Sequence, residues 1–275
     1  MPLLFGTAGT PISAKGKGSA GGIRRIRELG LGCMELEFVR GVRMKEDTAK
    51  EIAAVATEND VALSVHAPYY INFNSREPEK IEASIKRIYD SARIGSLCGA
   101  SSIVFHPAYY HGEDSETVFE KVMESLDKLR KTFEEKGINV ILRPETTGKG
   151  SQFGSLEETL KMSAEMEGVM PCIDFAHLHA RANGEVNTYE EFANCLSLVE
   201  EYLGKEGLKD MHIHISGIEY TPKGEKNHLV LKESDLNYHD LMKALKDFSA
   251  EGLVICESPN LEADALLLQE TFEKQ

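Results

Sequence analysis

Short runs of apolar, β-branched residues alternate along the chain with longer stretches in which apolar side chains recur every three or four positions. The first pattern fits buried strands, and the second fits helices that cover a sheet with one face. Strands are predicted at Leu3–Gly6, Cys33–Phe38, Ala62–His66, Ser102–His106, Asn139–Glu145, Met170–Asp174, Asp210–Ile215 and Gly252–Glu257. Helices are predicted over Met44–Asn59, Pro78–Cys98, Ser115–Lys136, Ser155–Glu167, Thr188–Glu206 and Tyr238–Ser249. The strands recur roughly every 30 residues, the length of a βα unit. Eight such units without a linker-like break predict an α/β fold, a single (β/α)8 TIM barrel over residues 1–275, with a doubly wound open sheet as the structural alternative. The Gly-rich stretch Gly16–Gly22 resembles a phosphate-cradling loop before Ile23–Leu29. It lacks both GxxxxGK[ST] and GxGxxG spacing, so a flexible loop is the better reading.

Composition narrows the function classes. With 31 Lys+Arg against 45 Asp+Glu, the formal charge is −14. A chain this acidic repels phosphate over most of its surface, which excludes a protein that binds nucleic acid with its whole exterior. Only locally concentrated cations, bound metal ions included, would reverse that. The longest apolar stretches, such as Gly252–Cys256, are too short to span a bilayer, and the segment Met1–Gly6 has no basic region followed by a long apolar one. Cys33, Cys98, Cys172, Cys195 and Cys256 lack CxxC spacing, and several sit in apolar runs, so reduced core thiols are expected. A cytoplasmic protein without a membrane partner is the expectation.

The ionisable residues carry the functional signal, because they sit at strand ends. His66 closes the third predicted strand, His106 the fourth, Glu145 the fifth, Asp174 the sixth and Glu257 the eighth, while His212 lies on the seventh. In a (β/α)8 barrel the C-terminal strand ends converge on one face, where active sites are built. Burying several carboxylates and imidazoles together without compensation is costly, and divalent metal is the simplest compensation. His, Asp and Glu donors without cysteine favour Zn²⁺ or Mn²⁺, and several carboxylates favour a bridged multi-metal site. His177, just beyond Asp174, is a further ligand candidate. His179 is expected behind the ligands or exposed, His214 behind them, and His111 and His239 at the solvated surface.

Taken together, His66-Ala-Pro-Tyr69-Tyr-Ile-Asn72, Phe105-His106-Pro107, Glu145-Thr-Thr-Gly148-Lys-Gly150, Cys172-Ile-Asp174-Phe-Ala-His177, Met211-His212-Ile213 and Cys256-Glu257-Ser-Pro259 resemble the endonuclease IV family of metal-dependent apurinic/apyrimidinic endonucleases. The resemblance covers most of the chain. It implies His66, His106 and Glu145 as ligands of one metal, and Glu145, Asp174, His212 and Glu257 as ligands of a second, with Glu145 bridging and orienting the attacking hydroxide. It implies two or three zinc ions per chain, with manganese compatible, and duplex DNA with abasic sites as the substrate, cut on the 5′ side by a monomer. Tyr69 matches the family's aromatic residue that enters DNA near the abasic nucleotide.

The third metal of that family takes the histidine matched by His177 together with an Asp-x-His pair. Here the corresponding loop reads Glu225-Lys226-Asn227-His228, so Glu225 stands where the family has Asp and Asn227 where it has His. Either His228 substitutes through a shifted loop, or the third ion is weak or absent. The same barrel superfamily contains sugar isomerases and epimerases, which the smaller set Glu145, Asp174, His212 and Glu257 also resembles. There one ion and two acid/base carboxylates would suffice, leaving His66, His106 and His177 surplus. A catalytically inactive metal-binding scaffold is the remaining class.

Overall fold

In the computed structural model, which describes residues 2–275, eight parallel strands form one sheet. They are β1 (Leu3–Ala8), β2 (Cys33–Glu37), β3 (Ala62–His66), β4 (Ser102–Phe105), β5 (Ile141–Pro144), β6 (Cys172–Asp174), β7 (Met211–Ile215) and β8 (Gly252–Cys256). In space the order runs β5-β4-β3-β2-β1-β8-β7-β6. Bridges from Leu142 to Val169 and from Glu145 to Cys172 join the two ends, so the sheet closes into the expected barrel and the open-sheet alternative falls.

Alternation along the strands sorts side chains into two environments. One phase, including Phe5, Met34, Leu36, Leu63, Val65, Ile103, Phe105, Ile173, Ile213 and Val254, joins the large core under the helices. The other phase points into the barrel. Near its centre Cys33, Leu253 and Ile255 form a small apolar cluster with Leu4 and Ala62. At its base the buried Arg143 donates to Ser102 Oγ at 3.0 Å, to the Asp210 carbonyl at 3.0 Å and to Asp210 Oδ1 at 2.7 Å. A buried guanidinium needs such partners, and here they tie neighbouring segments together at the barrel floor.

The helices wrap the outside: α1 (Gly18–Glu28), α2 (Glu46–Asn59), α3 (Pro78–Leu97), α4 (Ser115–Lys136), α5 (Leu156–Glu165), α6 (Phe175–Arg181), α7 (Tyr189–Leu208), α8 (Tyr238–Asp247) and α9 (Glu262–Glu273). Their starts follow local chemistry. Pro78 opens α3, the Asp114 side chain caps α4, and Ser155 and Glu158 form a capping box on α5.

The Gly-rich segment departs from the loop expectation, because Gly18 onward belongs to α1. At Gly22 a Cβ would meet Thr10 at 3.1 Å and Met34 Sδ at 3.3 Å, so small residues let this helix lie close to the barrel. The short α6 and the C-terminal α9 lie outside the predicted helices. So does a two-stranded hairpin, Gly217–Thr221 paired with Gly224–Leu229, that rises from the end of β7. Among the described residues no helix is long and apolar enough to cross a membrane.

Inside the barrel, Gly6 has no room for a side chain: a Cβ would lie 1.8 Å from the Cys33 carbonyl oxygen. Gly6→Ala should therefore destabilise the protein by about 3 kcal/mol, the upper range of overpacking, read as a lowered denaturant midpoint. Gly150→Ala, which faces open space, should leave the midpoint unchanged.

Candidate metal centre

The C-terminal ends of the barrel strands bring the sequence-marked residues into one buried group. Glu145, immediately after β5, is fully enclosed and lies at its centre. Its Oε2 is 3.2 Å from His66 Nε2 and 3.0 Å from His106 Nε2. Its Oε1 is 3.1 Å from His177 Nδ1 and 3.5 Å from His214 Nδ1. Four sets of donor atoms lie close enough to hold an ion, the atoms of each set within 4.8 Å of one another: His66, His106 and Glu145; Glu145, Asp174, His214 and Glu257; His177, Glu225 and His228; and, deeper in the barrel, Cys172, His212 and His214.

In the second set the structure corrects the expected histidine. His214, not His212, stands with Asp174 and Glu257. Strand register is the reason: β6 and β7 pair Asp174 with His214, and Cys172 with His212. Both imidazoles point inward, two residues apart, but His212 lies one layer deeper, where it meets Glu35 Oε2 at 3.0 Å. Burial at that depth pushes the His212 pKa down to about 4 despite Glu35.

The third set depends on a β-bulge. In the hairpin Glu219 pairs with Asn227 while the next residue, Tyr220, pairs with Glu225, so Lys226 is the extra residue. A bulge turns the face presented by the strand. Glu225 and His228 thus face His177, whereas the exposed Asn227 donates to Glu219 Oε2 at 3.0 Å. Gly148 fixes the hairpin's approach, since the Glu225 N–H donates to its carbonyl at 2.9 Å and a Cβ there would fall 2.7 Å from Glu225 Cβ.

Backbone carbonyls set the orientation of three imidazoles. His66 Nδ1 lies 2.8 Å from the Ala67 carbonyl, His177 Nδ1 2.9 Å from that of Thr146, and His228 Nδ1 3.4 Å from that of Glu257. A carbonyl only accepts, so each Nδ1 carries the hydrogen and each Nε2 is left facing a carboxylate: Glu145 for His66, and Glu225 for His177 and His228. A lone pair aimed at a carboxylate is repulsive unless a proton or a metal lies between them. Asp174 shows the same unfilled valence. Its Oδ1 caps α6 through the His177 N–H at 2.7 Å, while Oδ2, like Glu145 Oε1, is buried without a hydrogen-bond partner. This donor set fits divalent ions.

In metal-free protein, protons must supply the compensation. Burial opposes charge on Glu145, but the neighbouring His106 and His214 and its hydrogen bonds hold its pKa well below the usual carboxylate range. Burial likewise opposes charge on His66, yet the Glu145 hydrogen bond and charge raise its pKa to about 10. Asp174 is pushed up to about 6, chiefly by burial, with Glu257 and Glu145 adding to it.

The remaining residues divide clearly. Tyr69 stands at the rim, 56% exposed, with its ring centroid 5.4 Å from that of His66 and 6.4 Å from that of His106. His179 is neither exposed nor behind a ligand: it is buried between the Val186 carbonyl at 3.1 Å and Asp235 at 3.0 Å. His111 and His239 are exposed. Sequence reasoning missed Glu35 and Glu37, two acidic residues on one strand phase inside the otherwise apolar Cys33–Phe38 run. That alternation was the available signal. Burial pushes the Glu37 pKa up to about 8, although His66 opposes the shift.

Proteins of known sequence and others of known structure are similar to this chain. Residues 23–274 match the model of the xylose isomerase-like TIM barrel family, and the chain belongs to that family. An uncharacterized protein of Methanocaldococcus jannaschii is 50% identical over 272 residues, covering 99% of this chain and 97% of its own length. A probable endonuclease 4 of Oceanobacillus iheyensis is 30% identical over 158 residues, 55% of this chain and 51% of that protein. Among solved structures, endonuclease IV of Thermus thermophilus superposes with a TM-score of 0.73 at 21% identity, covering 98% of each chain. A D-tagatose 3-epimerase-like protein follows at 0.71 and 18% identity, covering 100% of this chain and 96% of its own. At those identities the structural likeness establishes the fold alone.

The His66 shift has a consequence for stability. Because its folded pKa lies above the ordinary 6.5, the stabilisation is fully present below about pH 6.5 and is lost as the pH rises through about 10. Chelator-treated protein should therefore show a urea midpoint that falls between about pH 7 and pH 10. Reloading with zinc should flatten that fall.

Proposed function

We propose that this protein is a metal-dependent phosphodiesterase of the endonuclease IV type, a single-domain monomer that cuts duplex DNA on the 5′ side of abasic sites. The observation that carries the reading is the meeting of three of the donor clusters around Glu145, with imidazole nitrogens facing carboxylates across them. His66, His106 and Glu145 would hold one ion; Glu145, Asp174, His214 and Glu257 a second; His177, Glu225 and His228 a third. Zinc suits these donors best, and manganese is compatible.

Bound divalent ions supply Lewis acidity, neutralising phosphate oxygens and acidifying water at the site. The chain's own residues do the rest. Glu145 reaches its histidine neighbours from a fixed backbone position, where it would hold two of the ions and orient the attacking water. Tyr69 offers an exposed ring beside the cluster, where a planar side chain can stack in place of a missing base. Lys15, Lys17, Arg40 and Lys149 lie in loops that follow β1, β2 and β5, on the same end of the barrel, and offset the acidic bulk there.

The epimerase-like reading has two observations in its favour. The set Glu145, Asp174, His214 and Glu257 alone would serve an isomerase with one ion, and the fold likeness to the D-tagatose 3-epimerase-like protein is nearly as close. It leaves His66, His106 and the bulge-built third set without a role, so the nuclease reading is preferred.

Elemental analysis of purified protein, combined with nicking of a duplex carrying one abasic site, tests the proposal. Two or three zinc ions per chain and chelator-sensitive nicking are expected. One ion with sugar interconversion and no nicking would replace it by the isomerase reading, and bound metal without either activity by an inactive scaffold. Glu145→Gln should lower nicking at least about 100-fold while circular dichroism stays unchanged. His228→Ala should cost one ion per chain, whereas Asn227→Ala should cost none.

A further inference from the structure

The centre of the barrel holds a carboxylate that the proposed reaction does not use. Glu35, on β2, is fully buried and lies one layer below the donor sets. Its Oε2 accepts from Ser64 Oγ at 2.6 Å and lies 3.0 Å from His212 Nε2, while its Oε1 lies 3.1 Å from His214 Nε2. Its partners therefore come from β3, through Ser64, and from β7, through both inward imidazoles.

His214 is oriented differently from its neighbours. His66, His177 and His228 each place Nδ1 against a backbone carbonyl and turn Nε2 toward a carboxylate, although His177 Nδ1 also lies 3.1 Å from Glu145 and 3.2 Å from Asp174. In His214 the ring is reversed: Nε2 turns down to Glu35, and Nδ1 faces Glu257 Oε1 at 3.4 Å and Glu145 Oε1 at 3.5 Å. The deep end of its ring meets the Glu35 carboxylate instead of a carbonyl. Glu35 Oε1 and His214 Nε2 are each buried without a hydrogen bond and face each other at 3.1 Å, so charge links them. An anion on that side favours the hydrogen on Nε2, leaves the lone pair on Nδ1, and makes that nitrogen more basic than a carbonyl would.

We infer that Glu35 is a positioning residue that locks His214 in the Nε2–H form and presents its Nδ1 to the ion shared with Glu145, Asp174 and Glu257. Ser64 and His212 hold the carboxylate in place from the side, which gives His212 a structural role. The inference rests on the metal reading of the site above and assigns Glu35 no contact with substrate.

Two readouts test it on the full-length protein. The first is the His214 tautomer in long-range ¹H–¹⁵N spectra, its signal assigned by loss in His214→Asn. The second is the affinity for each zinc equivalent, measured by competition with a chromophoric chelator. Zinc-loaded wild-type protein should show the Nε2–H form. Glu35→Gln should lose that single form and weaken one zinc equivalent by about 10–100-fold, leaving the others unchanged. Ser64→Ala, which removes one anchor but keeps the buried charge, should shift both readouts in the same direction and by less. Should Glu35→Gln fail to fold, Ser64→Ala decides by the same readouts. Wild-type tautomer and zinc affinities in these variants would overturn the role of Glu35 while leaving the metal reading intact. A wild-type protein that takes up no zinc, whatever its tautomer, would remove the metal reading and this role with it.

Discussion

A carboxylate surrounded by imidazoles in the closed end of a barrel is the constraint on which the rest of this structure turns. Glu145 is fully buried and has four histidine nitrogens within 3.5 Å. Charges of this kind are tolerated away from water only when opposite charge and hydrogen bonds compensate them. The side chains around it are arranged to meet that requirement: His66 and His177 direct Nδ1 to backbone carbonyls, while His214 turns Nδ1 to Glu145 and Nε2 to Glu35. What remains is a set of converging lone pairs, a geometry that suits cations.

The barrel makes this arrangement possible by separating two tasks along each strand. Residues of one phase pack beneath the helices as an ordinary apolar core, so the fold does not depend on an apolar interior. The interior phase is then free to change character with depth. It has Arg143 and its contacts at the floor, then Cys33, Leu253 and Ile255 alongside Glu35 and His212, and finally the donor sets at the mouth. Of these, Glu35 reaches the donor sets directly, through His214 at 3.1 Å.

The hairpin after β7 shows how local irregularity enters function. A single bulge at Lys226 decides which side chains of the strand face His177, and it selects Glu225 and His228 while turning Asn227 toward Glu219. Neighbouring glycines permit the hairpin to dock: Gly224 has φ +94°, and a Cβ on it would lie 2.2 Å from the Gly148 carbonyl oxygen. Family membership and fold do not by themselves choose between nuclease and epimerase chemistry, because function resides in the site and not in the barrel. The two donor sets beyond a one-ion centre are the features that separate the readings.

By itself the sequence determined the eight strands, the six long amphipathic helices and the placement of His66, His106, Glu145, Asp174 and Glu257 at strand ends. Those are one-dimensional signals: period two against period three to four, and ionisable residues closing apolar runs. Tertiary structure alone decided the rest. Whether His212 or His214 joins the centre depends on register against β6, which a strand bearing inward histidines at both positions leaves open. Whether Asn227 or His228 faces His177 depends on a bulge, and Glu35 gains its partners only when β2, β3 and β7 close around the barrel axis. Pairing, bulging and closure are relations between distant segments, so no stretch of the chain read alone contains them.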